Sequence, residues 1–370
     1  MALIGGRDTR DIVVATGVDA TELQRLTLQD GTTYEAVVQE LTGAITALNA
    51  SMGTDPLYAG LSSQGDAVEV SSRMGSTSSF DDFTEYGTPD AARGERDGWM
   101  LPLKAADFKL SWTWDYMRKA NFNQIQDDIN IAVLAAQKLR RKRMLTRLLK
   151  RGDDSGVANG LGTGGYSPGF ATTAGSTNVD FTPPEFNGKT FSNTHEHYTV
   201  GAASITSAQC VTMMKNLREH GIIGPYDLIV NETDYDTVKA FSDWVGASDP
   251  LVSVYASTTS LAATPWDNGY GGYLKDSMAR VRMVIGWPQY YLGMYKSFGL
   301  NNAANPLRIR LPKGEQSLRF AAFPDPRAPS PASPLGSLVV WTEFGVGVGN
   351  RLAAATHFSD AGAYADGTAS

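Results

Sequence analysis

The chain has 370 residues, 42% of them hydrophobic, with one cysteine and a net charge of −7. That length predicts two or three domains with ample material for a core. The lone Cys210 excludes an intramolecular disulfide framework and fits a reducing cytoplasm, and the negative balance excludes a dedicated nucleic-acid binder. The longest apolar run, residues 131–136, is too short to cross a bilayer, and the opening MALIGGRDTRD carries no secretory pattern.

Residues 1–31 read as an extended arm. A helix is predicted over residues 33–50, from the capping-box spacing of Thr32 and Glu35 and an apolar stripe of Tyr34, Val37, Val38, Leu41, Ile45 and Leu48. Residues 66–113 read as a long two-stranded excursion. Val68 and Val70 alternate on the way out, and Trp99, Leu101, Leu103, Phe108, Leu110 and Trp112 lie along the return. The polar, turn-rich middle of that hairpin has nothing with which to bury itself.

One long helix is predicted from Asp115 to Arg151, with Phe122, Ile125, Ile129, Val133, Ala136 and Leu139 as its apolar stripe. Eight of the fourteen residues 138–151 are basic and none is acidic, a polarity that suits the helix dipole. Arg140, Arg143 and Arg147 continue the phase of the apolar stripe. The last turns are therefore expected to face solvent, acidic neighbours or nucleic acid. Seven of the residues 151–170 are glycine, which reads as a long loop.

From residue 205 the texture is α/β. Thr206 and Gln209 form a capping box, Gly221 stops the helix, residues 226–230 read as a buried strand, and Asn231 caps a second helix. Val281, Met283 and Ile285 alternate, as do Leu307, Ile309 and Leu311. The Pro-rich segment 324–334 is a linker back to the first domain. Near the end, Val340, Thr342, Phe344, Val346 and Val348 share one face of a strand that must pair with something begun much earlier. The tail SDAGAYADGTAS has little to bury and is expected to be disordered in a monomer.

Several motifs suggest chemistry, and none carries it. Gly165-Tyr166-Ser167-Pro168-Gly169 matches the G-x-S-x-G elbow of serine hydrolases. The oxyanion hole there needs an N–H on the residue after the serine, and Pro168 has none. The run from Gly160 to Gly165 resembles a dinucleotide fingerprint but follows a basic helix and opens no helix. His195 and His197 would share a face of a strand, yet two histidines are too few for a closed zinc site and no second pair lies nearby in sequence. Hydrogen-bonded or interface histidines are expected there, and no cofactor is called for. Lys138, Arg140, Arg141, Lys142, Arg143 and Arg147 form the basic helix end. Their ordinary reading is a solvated surface paired with acidic groups such as Asp81, Asp82 and Glu85 of a neighbour's hairpin; non-specific contact with DNA is the other reading.

The order of parts, with GWMLPLKAADFKLSWTW before the long helix, then FNGKTFSNTHEHYT, LREHG and the ending FGVGVGNRLAAATHF, resembles the major capsid proteins of tailed bacteriophages, the Hong Kong 97-type fold. The resemblance implies an α+β fold: residues 1–65 an N-terminal arm and helix, 66–113 an extended E-loop hairpin, 114–204 a peripheral domain with spine helix and Gly-rich loop, 205–333 an inserted α/β axial domain, and 334–370 the closing strand and tail. It implies no active site and no membrane. Copies would associate as hexamers and pentamers in an icosahedral virion shell around double-stranded DNA, assembled in the host cytoplasm with a separate scaffolding protein and a portal. The negative charge suits a wall that must not adhere to the DNA it holds. Some family members cross-link through a Lys–Asn isopeptide bond assisted by a buried Glu; Lys104, Lys109, Asn350 and Glu343 are the residues near the corresponding places, and solvated side chains are their ordinary reading. The alternatives are an encapsulin-type nanocompartment shell of the same fold and, below it, a hydrolase using Ser167.

Overall fold

The computed structural model describes residues 3–4, 7–8, 28–54, 60–67, 69–73, 96–152, 154–156, 165–172, 181–201, 204–246, 270–295, 305–324, 335–360 and 362–367. The chain divides into two compact units: Met1–Asp55, Leu103–Lys142 and Leu311–Gly345 make the first, and Pro56–Pro102, Arg143–Arg310 and Val346–Ser370 the second. In chain order the labelled elements are helix α1 (Tyr34–Thr54), strands β1 (Ser62–Gly65), β2 (Glu69–Arg73), β3 (Arg96–Met100) and β4 (Lys104–Thr113), helices α2 (Trp114–Lys119) and α3 (Phe122–Leu149), and strands β5 (Asp154–Gly156), β6 (Gly165–Ser167) and β7 (Tyr198–Gly201). Helix α4 (Ser207–Arg218), β8 (Tyr226–Asn231), helix α5 (Glu232–Lys239), β9 (Trp244–Gly246), β10 (Tyr270–Leu274), β11 (Ala279–Val284), β12 (Tyr290–Tyr295), β13 (Leu307–Arg310), β14 (Ala321–Pro324), β15 (Leu335–Val348) and β16 (Ala354–Ser359) follow.

In the first unit, β15 pairs antiparallel with β14 on one side and with β4 on the other. The β4 register runs from Leu335 opposite Thr113 to Phe344 opposite Lys104, so the late strand does complete an early one. The expected face is buried, with Val340, Thr342 and Phe344 each at most 3% exposed. Helix α1 buries Tyr34, Val37, Leu41, Ile45, Leu48 and Met52. Its cap is displaced by one residue from the expected box. Thr33 Oγ1 accepts the Ala36 N–H at 3.3 Å, while the Thr32 N–H donates to Asp30 Oδ1. Asn49 ties α1 to the strand layer, donating to the Phe320 carbonyl and accepting the Phe320 N–H.

The expected single helix is two. Thr113 caps α2, and Ala120 leaves the helical region with ψ 148°. Asn121 and Gln124 then exchange side chain-to-backbone hydrogen bonds at 3.1 and 3.2 Å, a reciprocal capping box that starts α3. Asp30 Oδ2 also accepts the Phe122 N–H at 2.7 Å. Ile125, Ile129, Ala132 and Ala136 are buried.

The second unit is built on a seven-stranded sheet in the order β9-β10-β11-β8-β12-β16-β7. The β8/β11 and β16/β7 pairs are parallel and the others antiparallel. Cys210, Met213, Met214 and Leu217 of α4 join Tyr226, Leu228, Val230, Val281 and Tyr291 in one core cluster. The α4 capping box is formed as the spacing predicts, and Asn231 Oδ1 accepts the Thr233 N–H to cap α5. The alternation at 281–285 does not mark a buried face throughout: Val281 is buried, but Met283 and Ile285 are 38% and 70% exposed. Leu307, Ile309 and Leu311 are all buried, and β13 runs parallel to β1.

The excursion at 66–113 is also more divided than expected. Strands β2 and β3 pair antiparallel, with Glu69 opposite Met100, and the tip at 74–95 lies outside the described residues. After Pro102 the chain enters β4, which pairs with β15 and not with the outgoing strand. One antiparallel pair, β5 with β6, flanks the Gly-rich stretch; residues 157–164 lie outside the described set. Among the described residues no helix is long and apolar enough to cross a membrane.

Candidate functional site

The basic helix end does not form one solvated face. Lys138 and Lys142 are exposed; Arg140, Arg141 and Arg143 are half-buried. Arg147 is buried at 1% exposure, against the expectation that it faces solvent or a partner. Its Nη2 donates to the carbonyls of Lys150 and Gly152 at 2.6 and 2.9 Å, just beyond the end of α3 where carbonyls lack helical donors. Tyr364 Oη donates to the Leu149 carbonyl at 2.8 Å and Tyr198 Oη to that of Lys150 at 3.0 Å. Met144, Leu145, Leu148 and Leu149 are buried around them. The last turns are thus the better-packed end of the helix. In its middle, Ile131 and Leu134 are 53% and 55% exposed.

Tyr364 also corrects the reading of the tail. Its ring packs edge-on to Tyr198 and Tyr290, the Tyr290 hydroxyl donates to the Ala365 carbonyl, and Asp366 Oδ1 accepts the Arg151 N–H. A single tyrosine in a polar segment supplies the contacts that composition concealed. The acidic candidates Asp81, Asp82 and Glu85 lie outside the described residues.

Ser167 stands at the end of β6, paired with Asp154, and the chain continues through 168–172 without helix. The elbow geometry is therefore missing as well as the N–H. Of the cross-link set, Lys104 and Glu343 lie on the paired strands β4 and β15, Lys109 is exposed on β4, and Asn350 Oδ1 accepts the Leu352 N–H.

The histidines come together where sequence reading kept them apart. Residues Phe186, Asn187, Gly188 and Lys189 make a tight turn in which Asn187 and Gly188 both have positive φ, 50° and 74°. Asn-Gly is the pair that tolerates this conformation. Phe186 and Lys189 exchange backbone hydrogen bonds across it. The chain returns through Phe191 to His195, Glu196 and His197, then enters β7. His197 is fully buried; its N–H donates to the Ala171 carbonyl and its carbonyl accepts from Thr356 N–H.

From the other side, Gly221 with φ 80° turns the chain after α4, its N–H bonded to the Arg218 carbonyl and that of Ile222 to Leu217. His220 sits in that turn. Its Nε2 lies 2.9 Å from His195 Nε2 and 3.1 Å from His197 Nε2. His197 Nδ1 is 2.8 Å from the Ala354 carbonyl. Phe191 packs on both His195 and His220. Sequence reading missed His220 because a turn after a helix, not a motif, delivers it.

Burial sets the charge of this cluster. It pushes His195 below the ordinary imidazole value, His220 to about 4 and His197 well below; neighbouring imidazoles add to this at His220 and His197 and Lys189 at His195 and His220, while Glu219 opposes it at His195 and His220. The carboxylates nearby are engaged elsewhere. Glu196 accepts from Arg151 at 2.7 Å and from Thr172 at 3.0 Å, and Glu219 pairs with Lys189 at 2.7 Å. Burial raises Glu196 above the usual carboxylate range although Arg151 opposes it.

No family model and no curated protein matches the chain. In three dimensions it is similar to a chain of Mycobacterium phage Patience, with a TM-score of 0.65 and 20% identity over 92% of this chain and 93% of that one. A chain of the bacteriophage PhiM1 mature capsid (TM-score 0.46, 11% identity, 82% of this chain and 87% of that one) and one of the native GTA particle capsid (0.46, 14%, 82% and 89%) are more distant. At 20% identity the first likeness is one of fold. The mixed α+β fold of this chain is one that a phage protein also adopts, in line with the resemblance read from its sequence.

Proposed function

We propose that this chain is a phage major capsid protein, a structural subunit whose copies close into an icosahedral virion shell. The observation that carries the reading is the fold shared with a phage chain over 92% of this sequence. In this reading β2 and β3 are the base of the E-loop, α3 is the spine helix, β15 is the closing strand of the peripheral domain with β4 beside it, and the strands of the seven-stranded sheet within 205–333 are the axial domain, with β7 and β16 added to it from outside those bounds. One feature supports it physically. Ile131 and Leu134, one turn apart, leave an apolar stripe uncovered on a helix whose other side is buried.

The same exposed stripe continues into Lys138 and Lys142, four and eight residues beyond Leu134. It offers apolar contact followed by positive charge. The hairpin tip FDDFTEY, residues 80–86, carries aromatic residues interleaved with Asp81, Asp82 and Glu85. A second copy's hairpin is the occupant that matches this stripe in chemistry; packaged DNA would engage only its basic end. A separate scaffolding protein and a portal belong to the same reading.

Electron microscopy and sedimentation of the purified protein, with scaffold and high salt supplied, test the proposal. Closed shells or capsomer rings are expected, and nucleic acid inside them distinguishes a virion from an encapsulin holding protein cargo. A uniform monomer under those conditions overturns the reading.

A further inference from the structure

We propose that His195, His197 and His220 form a binding site for a single divalent transition-metal ion of the zinc class, held by three neutral imidazoles inside the second unit. One ring nitrogen from each lies within 4.8 Å of the other two. Nothing in the shell reading requires such a site, and the inference does not depend on that reading.

Proton counting shows why hydrogen bonding alone does not satisfy the three rings. The Ala354 carbonyl can only accept, so His197 Nδ1, 2.8 Å away, carries the proton. The neutral ring then presents a bare lone pair at Nε2, which faces His220 Nε2 at 3.1 Å. If His220 Nε2 is also bare, two lone pairs confront each other. If it carries its proton, that one hydrogen must serve both His197 and His195, whose Nε2 stands at 2.9 Å. A proton on His195 Nε2 would in that case meet the His220 N–H head on. Adding a further proton makes a buried imidazolium, which the surroundings oppose. A metal cation removes the conflict, because all three nitrogens can point bare lone pairs at it.

The dimensions fit. A Zn–N bond of about 2.05 Å at a tetrahedral angle separates ligand nitrogens by roughly 3.3 Å. The observed 2.9 and 3.1 Å need a few tenths of an ångström of opening, and the third pair, His195 with His197, lies within 4.8 Å and would settle towards the same separation. The Ala354 carbonyl on His197 Nδ1 is the kind of outer partner that fixes tautomer and ring orientation in metal sites. His220 Nδ1 has no hydrogen-bond partner among the described residues, so nothing there holds the proton on Nε2. His195 is half-buried, so the cluster is within reach of solvent. Glu196 and Glu219, held by Arg151 and Lys189, leave an all-nitrogen set, which suits zinc, copper or nickel over calcium or magnesium. Bound metal would staple the segment before β7 to the turn after α4.

The test uses the full-length protein stripped with a chelator and dialysed against Zn²⁺, with metal per chain measured by mass spectrometry. One zinc per chain is expected, with affinity lowered at least about tenfold in His195→Gln. His195→Gln is chosen because its ring is half-buried, and its metal-free Tm should match the parent's. At the same free zinc the Tm of the parent should rise by more than that of the variant. Because His220→Gln could disturb the turn, Co²⁺ loading of the unmutated protein provides a second readout. Intense visible bands of a low-coordinate, nitrogen-bound cobalt are expected. A pale spectrum like that of the hydrated ion, or equal zinc affinity in parent and His195→Gln, overturns the proposal.

Discussion

Arg147 is where a charge run and a core compete for one side chain. Its spacing from Arg140 and Arg143 reads as a basic stripe, yet its guanidinium closes the end of α3 on two backbone carbonyls. Both bonds leave from Nη2, whose two N–H groups are held in the guanidinium plane. Arg147→Ala is therefore expected to cost about 2–4 kcal/mol, because it removes two charge-assisted hydrogen bonds and the packing of a buried side chain, while Tyr198 still serves the Lys150 carbonyl. Arg147→Lys should recover little of that loss, and urea unfolding of the unassembled protein measures both. Neutral substitution of the exposed Lys142 should leave unfolding unchanged. His357 makes a second residue-level case. It is buried, with Thr199 Oγ1 2.9 Å from Nδ1, and burial lowers it from 6.5 to about 4. The folded form thus binds fewer protons than the unfolded chain between those two values. Stability from this group is complete above pH 6.5, falls as pH drops towards 4, and levels below. Tm measured across that range should slope less in His357→Gln than in the parent.

At the scale of elements, the sequence was legible wherever a local signal had no competitor. The Thr206/Gln209 box, the Gly221 stop, the buried run at 226–230 and the alternation at 340–348 all appear as read. Failures came where two signals overlapped. The strong apolar stripe masked the break between α2 and α3, although Asn121 and Gln124 carry the spacing of a capping box in plain view. The aromatic alternation from Trp99 to Trp112 masked a change of partner at Pro102, because a strand's pattern reports its buried face and not the strand beside it. The candidate site was half legible: His195 and His197 declare themselves, while His220 arrives by tertiary folding. If the α3 cap does the work assigned to it, Asn121→Ala should cost about 1 kcal/mol and Thr32→Ala much less, since Thr33 and not Thr32 caps α1. Denaturant midpoints at constant m-value check both.

For the whole molecule, the unanswered question is what covers the stripe Ile131, Leu134, Lys138 and Lys142. Single exposed ion pairs are worth about 0.2–1 kcal/mol, too little to hold two chains, but a closed shell repeats each pairing in every subunit and multiplies its effect. If the occupant is a neighbour's hairpin, reversing Lys138 and Lys142 to Glu should block or slow assembly without altering the stability of the unassembled chain. Reversing Asp81 and Asp82 to Lys should do the same. Combining the four reversals should restore shells, since the charges again oppose one another across the interface. If the stripe instead faces the genome, the four-fold variant recovers nothing. The Lys138→Glu, Lys142→Glu shells would then form normally and bind DNA with a shallower dependence on salt, by about one unit of slope for each phosphate left without its lysine. Light scattering of assembly, with salt titration of DNA binding alongside, separates the two arrangements in one set of variants.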